Sequence, residues 1–477
     1  MMTPCLPLVV DLDGTLVHTD LLYEAILLVL RNKPLQALRI PLWLLEGKAV
    51  LKRKLALYAA IQPSSLPYND ALLCWLREQH RNGRRLVLCT AADECYARQI
   101  AAHLHLFEEV VASDGRTNLA GAKKADALVQ RFGKAGFDYV GNAAEDLAVW
   151  RAAKQAIVVN ASPAVAKRVR TACSVEREFA KKRAWRLWVR MLRVHQWAKN
   201  LLLFVPLFAG HQLKNRHDWL TLFLAFFSFC CCSSAVYIAN DLFDLESDRQ
   251  HPRKRNRPFA SGQMPIFTGV ITIPFLLLMS FLLSLYVGII FLQILVCYAL
   301  GTCAYSWKLK QIAIVDCLVL SFLYTSRIFA GAGAIDIYPS FWLLAFSVFI
   351  FLSLAFVKRY AEIRSCMKTR KHSITGRGYY SSDASLIQII GVTSGFSSIV
   401  VFLFYINSDA EIIYDNPLVI WGAVPVVLFW ISWMWLQAHR GNMHDDPLIF
   451  AFKDRSSQIC GILFIAIMYI GAVGLPW

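Results

Sequence analysis

Residues 237–262 read Y-I-A-N-D-L-F-D-L-E-S-D-R-Q-H-P-R-K-R-N-R-P-F-A-S-G, and the organisation of the whole chain is read outward from them. Asp241, Asp244 and Asp248 stand at offsets 0, 3 and 7, so a helix presents all three on one face. His251, Arg253, Lys254, Arg255 and Arg257 follow at once. Magnesium favours a few carboxylates completed by substrate phosphate oxygens, and guanidinium groups grip phosphate oxygens in pairs. Three acids and then a basic fork therefore read as a site for a magnesium-bound diphosphate. A solvated loop beside a membrane is the bland alternative. Against it, an apolar run at 220–239 leads directly into the acids, and ionisable groups at the end of a span are functional candidates.

The 477 residues are 57% hydrophobic with a formal charge of +17, and these averages hide two unlike parts. Residues 1–180 hold 23 Lys+Arg and 18 Asp+Glu and read as soluble. Residues 181–477 separate into nine apolar runs, near 196–211, 219–240, 265–286, 288–305, 313–334, 341–358, 386–406, 417–437 and 458–476. Most approach the ~20 residues that carry a helix across the hydrocarbon core. Loops on one side of these runs carry 24 Lys+Arg and those on the other only Lys214 and Arg216. That bias puts the N-terminal part and the acids in the cytoplasm of a bacterial inner membrane, with the C-terminus opposite. It also explains the basic excess without nucleic acid. The start of the chain has no basic segment before its first apolar run, so no secretory signal is expected. Thirteen scattered cysteines, three of them adjacent at 230–232, suit reduced thiols rather than a disulfide framework.

The pattern N-D-x-x-D-x-x-x-D-x-x-H-P-x-K-R-x-R-P at 240–258 resembles the first acidic motif of the UbiA superfamily of membrane prenyltransferases. Its basic extension is similar to that of the decaprenyl-phosphate phosphoribosyltransferase branch. The resemblance implies an all-α integral membrane domain of nine transmembrane helices over 194–477. Aromatic prenyltransferases of the superfamily usually carry a second acid-rich motif after the sixth span. Here that loop has Glu362 and Asp383 as its only acids among seven Lys+Arg, and a basic loop suits a phosphorylated partner. Lys199, Asn200, Tyr305, Lys308, Lys310, Asp316, Lys358 and Arg359 gather on the same side of the runs. Arg327 lies well inside a run, where it must face protein, water or an anion, an ion pair with Asp316 being the structural option.

The N-terminal part shows short apolar runs at 6–10, 86–89, 139–140 and 156–160 alternating with helical stretches, the pattern of a parallel α/β sheet. Polar motifs sit at the ends of these runs. Asp11 and Asp13, Thr90, Lys123 or Lys124, and Asn142 with Asp146 together resemble the four motifs of the haloacid dehalogenase superfamily of phosphatases. The resemblance implies a Rossmann-like domain over 1–175 with a helical cap at about 16–85. Asp11 would attack phosphorus, Asp13 would act as general acid and base, Thr90 and a lysine would hold the phosphoryl group, and Asp11, Asp13, Asn142 and Asp146 would serve magnesium. Asn142 departs from the family's aspartate and leaves catalytic competence open. Residues 176–193, basic with interleaved tryptophans, read as an interfacial amphipathic helix on the lipid bilayer.

Together these readings anticipate a magnesium-dependent transferase moving phosphoribose from phosphoribosyl pyrophosphate to a polyprenyl phosphate. Asn240, Asp241, Asp244 and Asp248 with Lys254, Arg255 and Arg257 would hold the donor, and Lys199, Lys358 and Arg359 the lipid phosphate. The fused domain would then remove the 5-phosphate. Prenyl transfer to an aromatic or other small acceptor is the second enzymatic reading, and a non-enzymatic membrane scaffold the third. The oligomeric state, a homo-oligomer included, is left open.

Overall fold

The computed structural model describes residues 6–180, 185–211, 213–368, 372, 374, 376–408, 410–411, 414–443 and 446–473. The chain divides into two compact units, Met1–Leu192 with Ile238–Thr272, and Arg193–Tyr237 with Ile273–Trp477. The acidic stretch therefore groups with the N-terminal residues, although sequence reading assigns it to the membrane domain.

In the first unit, Leu8–Val10 (β1), Leu86–Asp93 (β2), Glu109–Ser113 (β3), Asp138–Gly141 (β4), Ala156–Val159 (β5) and Val175–Phe179 (β6) form one parallel sheet ordered β3-β2-β1-β4-β5-β6. Every residue of β1, β4 and β5 is buried, as in sheets covered on both faces. Val10 aligns with Leu88 on one side and Val140 on the other, so the winding reverses at β1 and a crevice opens at its carboxyl end.

Helices Leu21–Asn32 (α1), Pro34–Ala37 (α2), Ile40–Leu45 (α3) and Lys48–Tyr58 (α4) fill the insertion after β1. Asp20 starts α1 by accepting from the Leu22 amide, and prolines in the first turns of α2 and α3 restart the chain after each break. The remaining crossovers are Asp70–Arg81 (α5), Glu94–Leu104 (α6), Ala122–Phe132 (α7), Leu147–Ala152 (α8) and Pro163–Ala172 (α9).

The interfacial helix expected at 176–193 is corrected. Residues 175–179 instead pair with β5 as an edge strand in which Glu176, Arg177 and Glu178 are all exposed. Among the described residues there, only Arg186–Met191 (α10) is helical, flanked by the exposed Trp185 and bearing the exposed Trp188. Lys181, Lys182 and Arg183 lie outside the described residues.

Among the described residues eight helices are long and apolar enough to cross a membrane. They are Arg216–Phe243, Ile266–Val287, Ile289–Trp307, Val315–Ala334, Phe341–Lys368, Ser381–Ile406, Pro417–Arg440 and Arg455–Val473. The first of the nine expected runs is not among them: Val194–Phe204 winds as a 3-10 helix and Pro206 opens the short helix Val205–Ala209. Val315–Ala334 is the most buried of the eight. A Cβ on its Gly331 would stand 2.0 Å from the Leu203 carbonyl oxygen, so glycine is what lets the 3-10 segment approach this closely.

Candidate functional site

At the end of β1 the chain turns through Gly14 at φ +73° and aims Asp11 and Asp13 into the crevice. Lys124, near the start of α7, donates from Nζ to Asp11 Oδ1 at 2.7 Å and to the Tyr139 hydroxyl at 3.0 Å. Lys123 is exposed, so Lys124 is the lysine of the site. Thr15 donates to Asp11 Oδ2 at 3.2 Å, while the Leu21 amide donates to Asp13 Oδ1 at 3.0 Å. Thr90, fully buried, accepts from the Ala92 amide.

Asp146 is engaged at both oxygens. Oδ1 accepts from the Tyr139 hydroxyl at 2.8 Å, and Oδ2 accepts from the Asn142 and Ala143 amides at 3.0 Å. Asn142 packs against the motif-one turn: a Cβ on Gly14 would lie 2.1 Å from its side-chain nitrogen. Asp11 and Asp13, at the mouth of the crevice, form a carboxylate pair that suits magnesium completed by phosphate oxygens.

Burial pushes the Asp11 carboxyl up to about 6 despite Lys124, and burial with Asp20 nearby raises Asp13 well above its usual range. Burial alone would depress Lys124, but Asp11 and Asp146 outweigh it and keep the ammonium charged. The result is a buried carboxylate held beside an ammonium group in a cavity of about 1170 Å³. Two of its parts were missed from sequence. Lys52, on the cap helix α4, reaches the Ala91 carbonyl at 2.6 Å and Asn118 at 2.9 Å. Cap residues carry no motif, and Tyr139 looked like any strand residue.

The acidic stretch forms a second cluster in the same unit. The helix Arg216–Phe243 stops at Asp244 and a short helix, Leu245–Gln250, follows. Arg257 joins two of the three acids, donating from one nitrogen to Asp241 at 3.0 Å and to Asp248 at 2.5 Å. Asp244 is partly exposed, with Arg31 of α1 at 4.0 Å. The single helical face expected for the three acids is corrected to a buried pair and a more exposed third, because the helix breaks between them. Lys254 and Arg255 are exposed and Asn240 is half-buried, while Arg257 pairs with both buried acids. Burial raises Asp248, with Arg257 opposing it. Among the described residues no three His, Cys, Asp or Glu side chains converge as a ready metal cage. Two carboxylates beside an arginine still suit a magnesium ion that brings its own phosphate oxygens.

In the second unit Lys199 and Lys358 converge on Asp446, at 2.8 and 3.0 Å, and the Tyr324 hydroxyl donates to the same carboxylate at 3.1 Å. Asp446 was not foreseen. Its signal was the Asp-Pro step before an apolar run, a helix start, and its side chain does accept from the Leu448 amide. Arg327 does not pair with Asp316, contrary to the structural option for it. It donates to Asn200 at 3.0 Å and to the Tyr298 hydroxyl at 2.9 Å. Asp316 is instead held by Arg359, Arg377 and the Tyr379 hydroxyl. Glu362 pairs with Arg359 and, at 3.3 Å, with Arg377, while Tyr305 accepts from both arginines. Lys308 is exposed and Lys310 partly so.

A bundle of membrane-length helices with buried acid and base clusters, preceded by a parallel α/β domain with an aspartate-lysine phosphoryl centre, defines an integral membrane transferase joined to a haloacid dehalogenase-like hydrolase. The chain belongs to the UbiA prenyltransferase family, which it matches over residues 203–454, and residues 8–151 match the haloacid dehalogenase-like hydrolases. An uncharacterized protein, y4nM of Sinorhizobium fredii, is 36% identical over 96% of this chain and 89% of its own length. The nodulation protein NoeC of Azorhizobium caulinodans is 36% identical over 60% of this chain and 92% of its own. The decaprenyl-phosphate phosphoribosyltransferase of Mycolicibacterium smegmatis is 29% identical over 60% and 91%.

Proposed function

We propose that the chain transfers phosphoribose from phosphoribosyl pyrophosphate to a polyprenyl phosphate in the bacterial inner membrane, and that its N-terminal domain then hydrolyses the 5-phosphate of that product in the cytoplasm. The observation that carries the transferase reading is the neutralisation of Glu362 and Asp316 by Arg359 and Arg377. Where an aromatic prenyltransferase would need a second acidic metal site, these acids are already paired with guanidinium groups. The likeness to decaprenyl-phosphate phosphoribosyltransferases points the same way.

In this reading Asp241 and Asp248 would hold a magnesium ion, which would supply charge neutralisation for the departing pyrophosphate. Arg257 moves from the carboxylates to the phosphate oxygens it can grip in pairs. Lys199 and Lys358 hold the lipid phosphate, one oxygen of which forms the new bond to the anomeric carbon as the bond to pyrophosphate breaks. Orientation and electrostatics supply the acceleration. In the second step the Asp11 carboxylate forms a bond to the 5-phosphorus as the bond to the ribose 5-oxygen breaks, Asp13 protonates that oxygen to give the hydroxyl, and water, activated by Asp13, then releases phosphate from Asp11. Lys124 and Thr90 stabilise the transferring group.

The test is incubation of the full chain with magnesium, ribose-labelled phosphoribosyl pyrophosphate and a polyprenyl phosphate, followed by lipid extraction. Label in the lipid supports the transfer, and conversion of that lipid to a dephosphorylated form supports the second step. Transfer from a prenyl diphosphate to an aromatic acceptor, with no labelled lipid, overturns it.

A further inference from the structure

The cap helices α2 and α3 expose a row of leucines that the fold leaves uncovered. Leu35, Leu38, Leu42 and Leu45 are 79, 75, 59 and 85% exposed within eleven residues, and Leu44 is 51% exposed. They are not loosely placed. Trp43, between them, is buried and stacks on Tyr58 of α4 at 5.5 Å. Exposed apolar patches of this kind mark sites of contact with a partner or a membrane. The surrounding charges are mostly cationic: Arg31, Lys33, Arg39, Lys48 and Lys54 stand against Glu46. Leucines interleaved with lysine and arginine are the composition of a segment lying in anionic headgroups.

The neighbouring contacts select the bilayer as the occupant. Arg31, at the end of α1, donates at 2.8 Å to the carbonyl of Phe243, the last residue of a membrane-length helix. Tyr23, at the start of α1, lies 5.6 Å from Phe267 in the first turn of another. Helix α1 is thereby fixed where two spans leave the membrane. Leu35 follows Arg31 by four residues, so it lies within about 14 Å of that level. The patch also runs into the hydrolase cavity: Leu44 and Leu51 line it together with Trp185, Trp188 and Phe267.

We propose that α2 and α3 sit in the headgroup layer of the bilayer, and that the Asp11 cavity opens there to an amphiphilic phosphomonoester whose chain stays in the membrane. The surface stands on its own observations, whereas the substrate class rests on the hydrolase reading above.

The full chain is reconstituted in nanodiscs of phosphatidylethanolamine and phosphatidylglycerol containing a photoactivatable phospholipid, irradiated and mapped by peptide mass. Lipid adducts on residues 35–45 are expected, and they are lost when Leu35, Leu38, Leu42 and Leu45 are changed together to serine. The same variant hydrolyses a lipid-borne phosphomonoester at least tenfold more slowly but p-nitrophenyl phosphate at the wild-type rate, which also reports that the domain is folded. Adducts on the membrane-length helices with none on 35–45, or cross-links between two copies through 35–45, overturn the surface. Equal loss on both substrates overturns the lipid-borne substrate. A wild-type chain inert to both substrates overturns the hydrolase reading, and the adducts then decide the surface alone.

Discussion

Glu24 of α1 and Arg249 of the helix Leu245–Gln250, 225 positions apart in sequence, form a buried two-bond ion pair at 2.5 and 3.0 Å. The pair fastens the phosphatase cap to the short helix that carries Asp248. Removing one partner strands the other charge, which costs roughly 3–5 kcal/mol, whereas replacing both by apolar groups is often tolerated. Glu24→Ala is therefore expected to lower the thermal midpoint of the detergent-purified chain by several degrees. It should also slow phosphoribosyl transfer, although Glu24 lies in the hydrolase part of the sequence. Glu24→Leu with Arg249→Met should recover most of the midpoint.

Arg257 bridges Asp241 and Asp248, and in the proposed reaction it follows the diphosphate. Arg257→Lys keeps the charge but loses the planar fork. We expect it to raise KM for phosphoribosyl pyrophosphate at least tenfold with a smaller fall in kcat. Asp241→Asn should abolish transfer while leaving expression and monodispersity unchanged.

Asp446 receives two ammonium groups and a hydroxyl, so its loss leaves the buried Lys199 and the partly buried Lys358 without their shared counter-charge. Burial alone would raise its pKa, but Lys199 and Lys358 outweigh it and hold the carboxyl below the usual carboxylate range. A depressed folded-state pKa contributes stability that is present above about pH 4, the unfolded value, and lost as pH falls below it. Asp446→Asn should thus be less stable than wild type at pH 7, with the deficit narrowing below about pH 4. Melting of the two proteins across pH in one detergent measures it.

The hydrolase centre has its own pH signature. Asp11 must be ionised to attack phosphorus, and burial raises it to about 6 in the absence of metal. A bound cation favours the carboxylate, so the acid limb of phosphate release should move to lower pH as magnesium is raised. Asn142→Asp adds an anionic group beside this centre and should lower the magnesium concentration for half-maximal rate several-fold. Phosphate release from p-nitrophenyl phosphate checks both expectations.

The sheet was largely legible because β1, β2, β4 and β5 are short apolar runs ending in chemistry-bearing residues. The edge strands β3 and β6 escaped because Glu109, Glu176, Arg177 and Glu178 dilute their apolar signal. Most membrane helices were legible by length and hydropathy, whereas Pro206 turned the first apolar run into short, tight segments. In the sites, Asp11, Lys124, Asp241 and Arg257 stood in local patterns. Asp446 and Lys52 meet the groups that matter only through tertiary folding, Lys358 standing 88 positions from Asp446 and Ala91 39 from Lys52, and Tyr139, seven positions from Asp146, belongs to no motif.

The grouping of Ile238–Thr272 with Met1–Leu192 bears on how such a gene can be divided. Cutting it after the codon for Leu192 would separate the halves by ancestry but not by folding. The downstream product would present Arg249 without Glu24, its buried partner. Two such fragments, made in one cell, should accumulate together or hardly at all.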